Sequence, residues 1–309
     1  MIRVIDLFCG CGGLSLGFQK AGFTIVKAFD NWERAVEIYN KNFSHTAELR
    51  DVYDLTPDYL SNFSPDIIIG GPPCQDYSSA GKQDETQGRA NLTLRYAELV
   101  CSVNPEWFVM ENVDRIIKSK TLPKAISLFR SSGYGLSQVI LDASLCGVPQ
   151  KRKRFFLIGH KKDDDDFLTE SLYSDLSDSN TTVRDYLGNE FGTEYYYRHP
   201  RSYARRGIFS IDEPSPTIRG VNRPIPPKYK VHSGDATKDL SKVRALTTLE
   251  RARIQTFPKD FEFSGNKTEL EQIIGNAVPV DLAKYVAAHL MEYIKNPIFS
   301  PFQLYFKLA

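Results

Sequence analysis

Long apolar runs, a signal-peptide pattern and a strong net charge are all missing from this sequence. No stretch approaches the ~20 consecutive apolar residues of a membrane span, and the opening residues MIRVIDLFCGCGG run directly into a turn. The formal net charge of the 309 residues is +1, so any surface that binds a polyanion must be local. We therefore expect a protein without a membrane partner, built from one large domain or two ordinary ones.

Cysteine and histidine are also scarce, and neither forms a metal-binding pattern. The five cysteines (9, 11, 74, 101 and 146) are odd in number and lack the spacing of a disulfide framework. This usage favours a reducing compartment. Cys9-x-Cys11 has no Cys-x-x-Cys spacing and no nearby histidine, so we expect no metal site.

Short apolar runs alternate with helical patterns along the first 160 residues. The runs are rich in Ile, Val and Phe and mostly lack period-2 alternation, as strands buried on both faces should. The predicted strands cover residues 3–8, 24–29, 66–69, 106–110, 137–141 and 154–158. The predicted helices cover residues 33–42, 92–103 and 122–131. This order predicts an α/β fold with a doubly wound, mostly parallel sheet.

The sequence changes character near residue 161. A polar connection there contains an Asp run at 163–166, which we interpret as a solvated loop. Residues 181–243 are rich in Pro, Gly, Tyr and Arg and show little helical periodicity, whereas 248–255 and 281–294 are helical in pattern. We predict one domain over 1–180 and 272–309, and a second, smaller and irregular domain with a hinge over 181–271.

A glycine-rich turn follows the first predicted strand in VIDLFCGCGG (4–13). Such a turn lets a ligand approach the backbone, and the next helix offers free N–H groups. The pattern misses a dinucleotide fingerprint by one position, because glycine would be needed at Ser15. What remains is a nucleoside-type site. Asp30 could take ribose hydroxyls, Trp32 could stack on an adenine or simply pack, and Asp51 could accept from an adenine amino group.

Cys74 follows two prolines in GGPPCQDYSS (70–79), directly after a predicted strand. Proline cannot donate to a sheet ladder and restricts the residue before it to extended geometry, so Cys74 must stand on a stiff turn. Ligands of open α/β sheets bind at such strand ends. From this stretch alone, a nucleophilic cysteine and a cysteine that fills a gap are about equally favoured.

Six blocks, in order, make the chain resemble the cytosine-5 DNA methyltransferases of the bacterial restriction-modification type. They are DLFCGCGG (6–13), GPPCQ (71–75), ENV (111–113), GVPQKRKR (147–154), RALT with Glu250 and Arg253 (244–253), and GNAVP (275–279). Only residues 161–243 are weakly matched. The resemblance implies a Rossmann-like catalytic domain that binds S-adenosyl-L-methionine, and a small target-recognition domain over 181–271.

The resemblance also implies the chemistry. Cys74 would add to carbon 6 of a cytosine flipped out of the duplex, which lets carbon 5 attack a sulfonium methyl group. Glu111 would bind ring nitrogen 3 and the exocyclic amine. Arg154 would bind the base carbonyl, and Arg152 would support the loop or a phosphate; alternation along one strand would put both arginines on one face. Without the resemblance, Glu111 is an ion-pair partner at a strand end and the arginines are a basic patch.

Further residues are implied to bind the cofactor or DNA. Those for S-adenosylmethionine and its product S-adenosylhomocysteine are Phe8, Cys9, Gly10, Gly12, Gly13, Leu14, Asp30, Asn31, Trp32, Asp51, Val52, Pro72, Leu92, Asn276 and Val278. Those for DNA are Gln75, Ser78, Arg89, Arg205, Thr217, Arg219 and Arg223.

Two segments complete the expected DNA-binding surface. Residues 75–90 resemble the mobile loop that closes over the flipped base, although Asp76 replaces a small uncharged residue and could raise the pKa of the thiol. Residues 195–230 hold eight Lys or Arg against two acids, with tyrosines between them, which suits phosphate attraction and guanine contacts. Arg219 and Arg223 are the best candidates for base readers, and phosphate contact is their alternative role.

Three alternatives stay open beside a DNA methyltransferase. A transfer-RNA cytosine-5 methyltransferase would carry a Cys-Phe-Thr tripeptide, yet 161–243 contain no cysteine. A catalytically inactive DNA-binding homologue would lack Cys74, Glu111 or Arg154, and a cysteine hydrolase would place a histidine in a motif. We predict a monomer that acts on double-stranded DNA in the cytoplasm of a bacterium or phage host. A restriction endonuclease of the same site, not bound directly, is a candidate partner.

Overall fold

The computed structural model describes residues 1–73, 90–161, 163–202 and 204–296. Its strands are β1 (Arg3–Leu7), β2 (Thr24–Asp30), β3 (Ala47–Leu49), β4 (Ile67–Gly70), β5 (Trp107–Val113), β6 (Gly135–Asp142), β7 (Gln150–Lys151), β8 (Lys153–His160), β9 (Tyr195–Tyr197), β10 (Ile208–Ser210), β11 (Ser215–Pro216) and β12 (Val243–Ala245). Its α-helices are α1 (Gly13–Lys20), α2 (Glu33–Asn42), α3 (Pro57–Ser61), α4 (Ala90–Val103), α5 (Thr121–Ser131), α6 (Thr169–Ser174), α7 (Val183–Leu187), α8 (Thr248–Ile254), α9 (Lys267–Asn276) and α10 (Val280–Lys295).

A seven-stranded sheet is the largest element of the fold. Its strand order is β3-β2-β1-β4-β5-β8-β6. The pairs between β3 and β5 are parallel, whereas β8 runs antiparallel to β5. The predicted α/β class and mostly parallel sheet are confirmed, and so is the predicted helix over 33–42.

The central strands are buried on both faces, as their continuous apolar runs predict. Ile67, Ile68 and Ile69 of β4 have 0% exposure. One apolar cluster joins Ile68 and Phe108 of the sheet to α4 and to Phe129 of α5, and the rings of Phe108 and Phe129 stack with centroids 4.0 Å apart. Each such side chain contributes about 1.5–3 kcal/mol by burial, so this cluster holds the strands in register beneath their carboxyl ends.

The antiparallel strand β8 begins at the edge of the sheet where its parallel neighbours end. In the β5–β8 ladder, Glu111 pairs with Phe156 and Val113 pairs with Arg154. The first residues of β8 therefore lie beside the last residues of β5. Strand β5 also extends past the predicted end at residue 110, because pairing with β8 continues through Val113.

Two compact units divide the chain. Unit 1 contains the described residues within Met1–Leu141, Lys153–Leu176 and Ala283–Ala309, and unit 2 contains those within Asp142–Arg152 and Ser177–Leu282. These boundaries differ from the predicted domain boundaries, since 142–152, 177–180 and 272–282 fall in unit 2. Residues 142–152 belong there because β7 pairs with β11 of that unit.

Unit 2 contains two small sheets. One has the order β10-β9-β12, and the other pairs β11 with β7. Tyr196 and Tyr197 of β9 are buried, with 1% exposure each. The sequence predicted an irregular region here; these strands have only two or three residues each, which is too short for a readable period.

In the described part of the chain, no helix combines the length and the apolar character needed to cross a membrane.

Candidate active site

The glycine turn after β1 uses backbone conformations that favour glycine. Gly10 and Gly12 have φ of 55° and 99°. A Cβ at Gly12 would lie 2.4 Å from the ring of Phe43, whereas no heavy atom of the described residues lies within 4 Å of a Cβ at Gly10. Gly12 is therefore required for packing, and Gly10 leaves the backbone open to a ligand. Gly13 and Leu14, which follow, begin α1 and are buried.

The cysteines of this turn point into the core. Cys9 and Cys11 are 5% and 2% exposed. Burial raises the pKa of Cys11 to about 12 and the pKa of Cys9 well above its usual value. Both thiols are therefore protonated at neutral pH, and each can offer a ligand only its backbone.

Asp30 holds the glycine turn in place. Its Oδ2 accepts a hydrogen bond from the backbone N–H of Gly10 at 2.8 Å, and its Oδ1 accepts one from Trp32 N–H at 2.9 Å. The predicted ribose acceptor thus has both carboxylate oxygens engaged with backbone. The side chain of Asn31 is exposed and donates to Asp51 Oδ2 at 2.9 Å, so Asn31 and Asp51 are brought together.

An open cavity of about 680 Å³ lies beside these residues in unit 1. It is lined by Asn31, Glu33, Leu49, Arg50, Asp51 and Asp54. Three carboxylates can accept hydrogen bonds from hydroxyl and amino groups, and Leu49, which is 50% exposed, offers apolar surface. The lining fits the nucleoside part of S-adenosylmethionine, whose ribose and adenine present such donors.

Sequence reasoning missed four residues of this lining. Glu33 follows Trp32 directly and could have been found from its place in the first turn of α2. Leu49 and Arg50 come from the edge strand, where Asp30 pairs with Leu49 and Arg50 N–H donates to Asp30 O at 2.9 Å. That pairing is not local, and no sequence signal marks it; Asp54 lies in the short turn that follows.

The cavity lining does not include the other predicted cofactor residues. Phe8 and Leu92 are partly buried against its main apolar cluster, Val52 is buried, and Trp32 is partly buried. Asn276 and Val278 belong to unit 2; the first is exposed at the end of α9, and the second is buried.

Glu111 and Arg154 form an ion pair at the carboxyl end of β5. Arg154 Nε lies 2.8 Å from Glu111 Oε1, with the side chains 13% and 10% exposed. A Cβ at Gly71 would lie 3.1 Å from Glu111 Oε2, so the absence of a side chain at Gly71 leaves room beside that oxygen. The carboxylate is thus held from one side by a cation and faces a glycine on the other.

Asn112 ties the end of β5 to the turn after β4. It is 3% exposed, and its Nδ2 donates to the carbonyl oxygen of Pro72 at 3.0 Å. Its Oδ1 accepts from Val113 N–H at 2.8 Å. Pro72 is buried and stands two residues before Cys74. Asn112 belongs to a predicted motif, yet sequence reasoning gave it no role.

Asp6 is a fully buried carboxyl group beneath the glycine turn. Ser15 Oγ donates to Asp6 Oδ2 at 2.5 Å, and Tyr39 Oη donates to Ser15 Oγ at 2.8 Å. Asp6 Oδ1 is buried with no hydrogen-bond partner among the described residues. Burial raises the pKa of Asp6 to about 8, against the opposing hydrogen bond from Ser15. Asp6 is therefore mostly protonated at neutral pH.

Arg152 lies between β7 and β8 rather than inside one strand, so the prediction that Arg152 and Arg154 share a strand face is wrong. Arg152 belongs to unit 2 and is 2% exposed. Its Nη1 donates to Ile218 O at 2.8 Å, and its Nη2 donates to Gly275 O at 3.0 Å. These contacts fit the loop-supporting role rather than contact with a phosphate.

Two of the predicted DNA-binding residues of unit 2 are bonded to backbone, and two are exposed. Thr217 Oγ1 donates to Lys151 O at 2.8 Å, and Arg219 Nη2 donates to His199 O at 2.7 Å. Arg205 and Arg223 are exposed. Cys74, Gln75, Ser78 and Arg89, with Asp76 and most of the predicted loop at 75–90, lie outside the described residues.

No group of three or more His, Cys, Asp or Glu side chains that could hold a metal ion occurs within the described ranges.

The comparison with protein families decides the identity. The model of the C-5 cytosine-specific DNA methylases matches residues 2–292. The chain belongs to this family. It is a DNA (cytosine-5-)-methyltransferase, and methylases of this family take their methyl group from S-adenosylmethionine.

Relatives support this assignment, and solved structures share the fold. The Type II methyltransferase M.HindV of Haemophilus influenzae is 58% identical over 301 residues, covering 96% of this chain and 99% of the relative. M.HgiDI of Herpetosiphon aurantiacus is 55% identical over 298 residues, covering 96% of each. The structures of the S. pombe Dnmt2 methyltransferase (TM-score 0.71, 20% identity, 95% and 99% covered) and of Entamoeba histolytica EhMeth (0.72, 20%, 96% and 99%) share the fold.

Replacing Asp6 by asparagine should flatten the pH dependence of the methylase's stability. The folded-state pKa of about 8 lies above the ~3.9 of an unfolded aspartate. The folded state therefore binds the extra proton between these values, and stability falls as pH rises from about 4 to about 8. Asparagine cannot ionise, so Asp6→Asn should gain melting temperature relative to the parent between pH 5.5 and pH 8. If the melting temperatures of the two proteins changed equally between the two pH values, the prediction would be contradicted.

Removing the amide donor of Asn112 should slow the methylase without weakening substrate binding. In Asn112→Asp a carboxylate faces the Pro72 carbonyl, so the turn before Cys74 shifts, and a misplacement of ~1 Å can cost about 10²-fold in rate. We expect kcat to fall by about that factor, with the KM for DNA nearly unchanged.

Asn42→Asp is the matched control for Asn112→Asp, because Asn42 Nδ2 donates to a backbone carbonyl (Ile38 O, 2.8 Å) elsewhere in unit 1. It should keep parental kcat. Equal kcat for Asn112→Asp and the parent would remove Asn112 from the positioning of Cys74.

Proposed function

We propose that this methyltransferase acts on a cytosine flipped out of a specific duplex DNA site, with Cys74 as nucleophile and Glu111 and Arg154 as the groups that bind the base. The observation that carries the proposal is the buried ion pair of Glu111 and Arg154 at the end of β5. In the sheet, β5 is the neighbour of β4, and the chain leaves β4 toward Cys74.

Cys74 would open the reaction by nucleophilic addition. Its thiolate forms a bond from Sγ to carbon 6 of the cytosine, and the electron pair of the 5,6 double bond moves toward carbon 5. Carbon 5 would then bond to the sulfonium methyl group that S-adenosylmethionine would supply, and the electron pair of the broken methyl–sulfur bond would stay on sulfur, which gives S-adenosylhomocysteine. Loss of the carbon-5 proton to a base then restores the double bond and expels the thiolate, so electrons and protons balance.

Glu111 would polarise the ring for this addition. A protonated or shared carboxyl can donate to ring nitrogen 3 and accept from the exocyclic amine, which also selects cytosine over thymine. The ion pair engages Oε1, and Gly71 leaves space beside Oε2, which is the oxygen we assign to the base. Arg154 would bind the base carbonyl through its guanidinium group.

The cofactor would be held in unit 1. Asn31, Glu33 and Asp51 line the open cavity and suit the ribose hydroxyls and the adenine amine. Gly10 presents unobstructed backbone, and the N–H groups at the start of α1 suit the carboxylate of the methionine part. Asp30 would act by holding the turn that carries Gly10.

Unit 2 would be the target-recognition domain. It contains the basic segment 195–230, with eight Lys or Arg and two acids. The predicted base readers Arg219 and Arg223 lie in it, and Arg152 supports the same segment through Ile218. Its contribution to affinity should be strongly salt-dependent, because phosphate contacts release counterions.

The relatives named as Type II methyltransferases favour a restriction-modification role. We propose that the enzyme works as a cytoplasmic monomer, and that its methylation protects the site from an endonuclease that it need not bind.

Changing Cys74 to serine should abolish methylation. The parent, Cys74→Ser and Cys101→Ser are incubated with labelled S-adenosylmethionine and mixed-sequence plasmid DNA, and the DNA is digested to nucleosides. We expect label in 5-methylcytosine with the parent and with Cys101→Ser, whose thiol is partly buried and donates to Leu128 O at 3.6 Å. Label with Cys74→Ser would exclude Cys74 as nucleophile. In a parallel incubation of the parent with transfer RNA, label in the RNA but none in plasmid DNA would replace DNA as the substrate.

Changing Glu111 to glutamine should slow methylation by about 10²–10⁴-fold, the usual worth of a positioned proton donor. The amide cannot give a proton to ring nitrogen 3, and it leaves the Arg154 cation without its counter-charge. Glu106→Gln is the control, because Glu106 lies just before the same strand and contacts His160 at 3.5 Å. Similar rates for both variants, measured in single turnovers, would contradict the role of Glu111.

A further inference from the structure

The segment 217–223 of unit 2 carries both predicted base readers, and its first residues are held from one side by side chains near β7. Gln150 Oε1 accepts from Ile218 N–H at 2.8 Å, and Arg152 Nη1 donates to Ile218 O at the same distance. The next residues, 219–222, are bonded to a different set of side chains.

A buried ion pair of Arg251 and Glu271 holds residues 219–222. The two side chains are 6% and 4% exposed and contact each other directly. Arg251 Nη2 donates to the carbonyl oxygens of Arg219 and, at 3.4 Å, of Val221. Glu271 Oε1 accepts from Asn222 Nδ2 at 2.8 Å. Positions 219, 221 and 222 of the segment are thus bonded to one pair of charged side chains.

Neighbouring elements complete this anchor. Thr248 Oγ1 of α8 donates to Glu271 Oε1 at 2.8 Å, and Asn222 Nδ2 also donates to Leu246 O at 2.8 Å. A Cβ at Gly275 would lie 2.4 Å from the backbone of Arg219 and Gly220. The segment therefore packs backbone to backbone against α9, and it has little room to shift.

Stability alone is a weak reason for such a pair. Removing two charges from water costs free energy that their attraction often fails to recover. Well-packed apolar residues at the same positions often stabilise a protein equally well or better. Burial, followed by the charge of Arg219, lowers the pKa of Arg251 to about 10, as expected for a cation in this costly setting. What the pair does provide is a fixed geometry for the carbonyls and the amide bonded to it.

The held segment carries positive charge into an already basic region. Arg219 Nε is buried with no hydrogen-bond partner among the described residues. The pKa of Arg198 is lowered to about 9, mainly by burial and then by the charges of Arg219, Arg201 and Arg251. Guanidinium groups held this close repel one another, and a DNA phosphate or a guanine edge would relieve that repulsion.

We propose that Arg251 and Glu271 are positioning residues for sequence specificity: together they hold 219–222 in one conformation, so that Arg219 and Arg223 meet the correct bases. This inference rests on the proposed role of unit 2 in target recognition. Neither residue touches DNA in this role; each acts through the segment that it binds.

The test replaces the pair by apolar residues of similar size. Arg251→Met with Glu271→Leu should keep the fold and free the segment. Plasmid DNA methylated by each protein is sequenced after cytosine conversion, which gives the preferred site and its single-base variants in one experiment. We expect the ratio of cognate to near-cognate methylation to fall by about tenfold, the worth of one good base contact. The KM for DNA should rise, and kcat on the cognate site should stay within a few-fold of the parent.

Arg184→Met is the matched control. Arg184 also pairs with carboxylates of unit 2, Glu194 and Asp212, but it does not bond to 217–223, so its site ratio should equal the parental one. Glu271→Gln keeps the size of the side chain and replaces the double variant if that variant does not fold. Its ratio of cognate to near-cognate methylation should also fall. An unchanged ratio in a folded variant overturns the inference. A parent that methylates no DNA would instead overturn the proposed function, so the two failures are distinguishable.

Discussion

The antiparallel pairing of β8 with β5 is the constraint on which the proposed catalytic centre of unit 1 depends. A parallel neighbour would begin at the opposite edge of the sheet and would carry its first side chains away from the strand ends. Because β8 is reversed, Arg154 stands opposite Val113 in the ladder, and its guanidinium reaches Glu111. An acidic side chain that is only 10% exposed is costly to bury without a polar partner, and Arg154 supplies that partner. The reversed strand therefore delivers both the cation and the fixed orientation of the acid.

Each functional loop is held by a side chain of a more regular neighbour. Asp30, at the end of β2, accepts from Gly10 in the glycine turn. Asn112 of β5 donates to Pro72 in the turn toward Cys74, and Arg251 of α8 donates to the segment after Ile218. Turns rich in Gly and Pro leave backbone groups outside any ladder, and buried groups of this kind must find partners. Supplying these partners from strands and helices makes the loops rigid where ligands approach, as a preorganised site requires.

Sequence reasoning succeeded where the signal was local and failed where it depended on distant pairing. The helix Glu33–Asn42 and the positions of the central strands follow from periodicity and apolar runs. The break at Arg152 does not, because Gln150 and Lys151 pair with Ser215 and Pro216, which lie more than 60 residues later. The same holds for the cavity, whose residues from the edge strand depend on register with β2. Motifs named Glu111 and Arg154, but only the ladder shows that the two meet.

The burial of the other cysteines also bears on a thiol mechanism. Cys9, Cys11 and Cys146 are buried, and Cys101 is partly buried. Burial raises the pKa of all four, to about 12 for Cys11 and Cys146. Only a thiolate attacks carbon or exchanges with a disulfide, so these four are chemically quiet at neutral pH. Burial therefore keeps the four described cysteines protonated, so they would not compete with a reactive thiol elsewhere in the chain. If Cys74 is the nucleophile that we propose, electrophiles and oxidants should act on it first, and alkylation at neutral pH should report on Cys74.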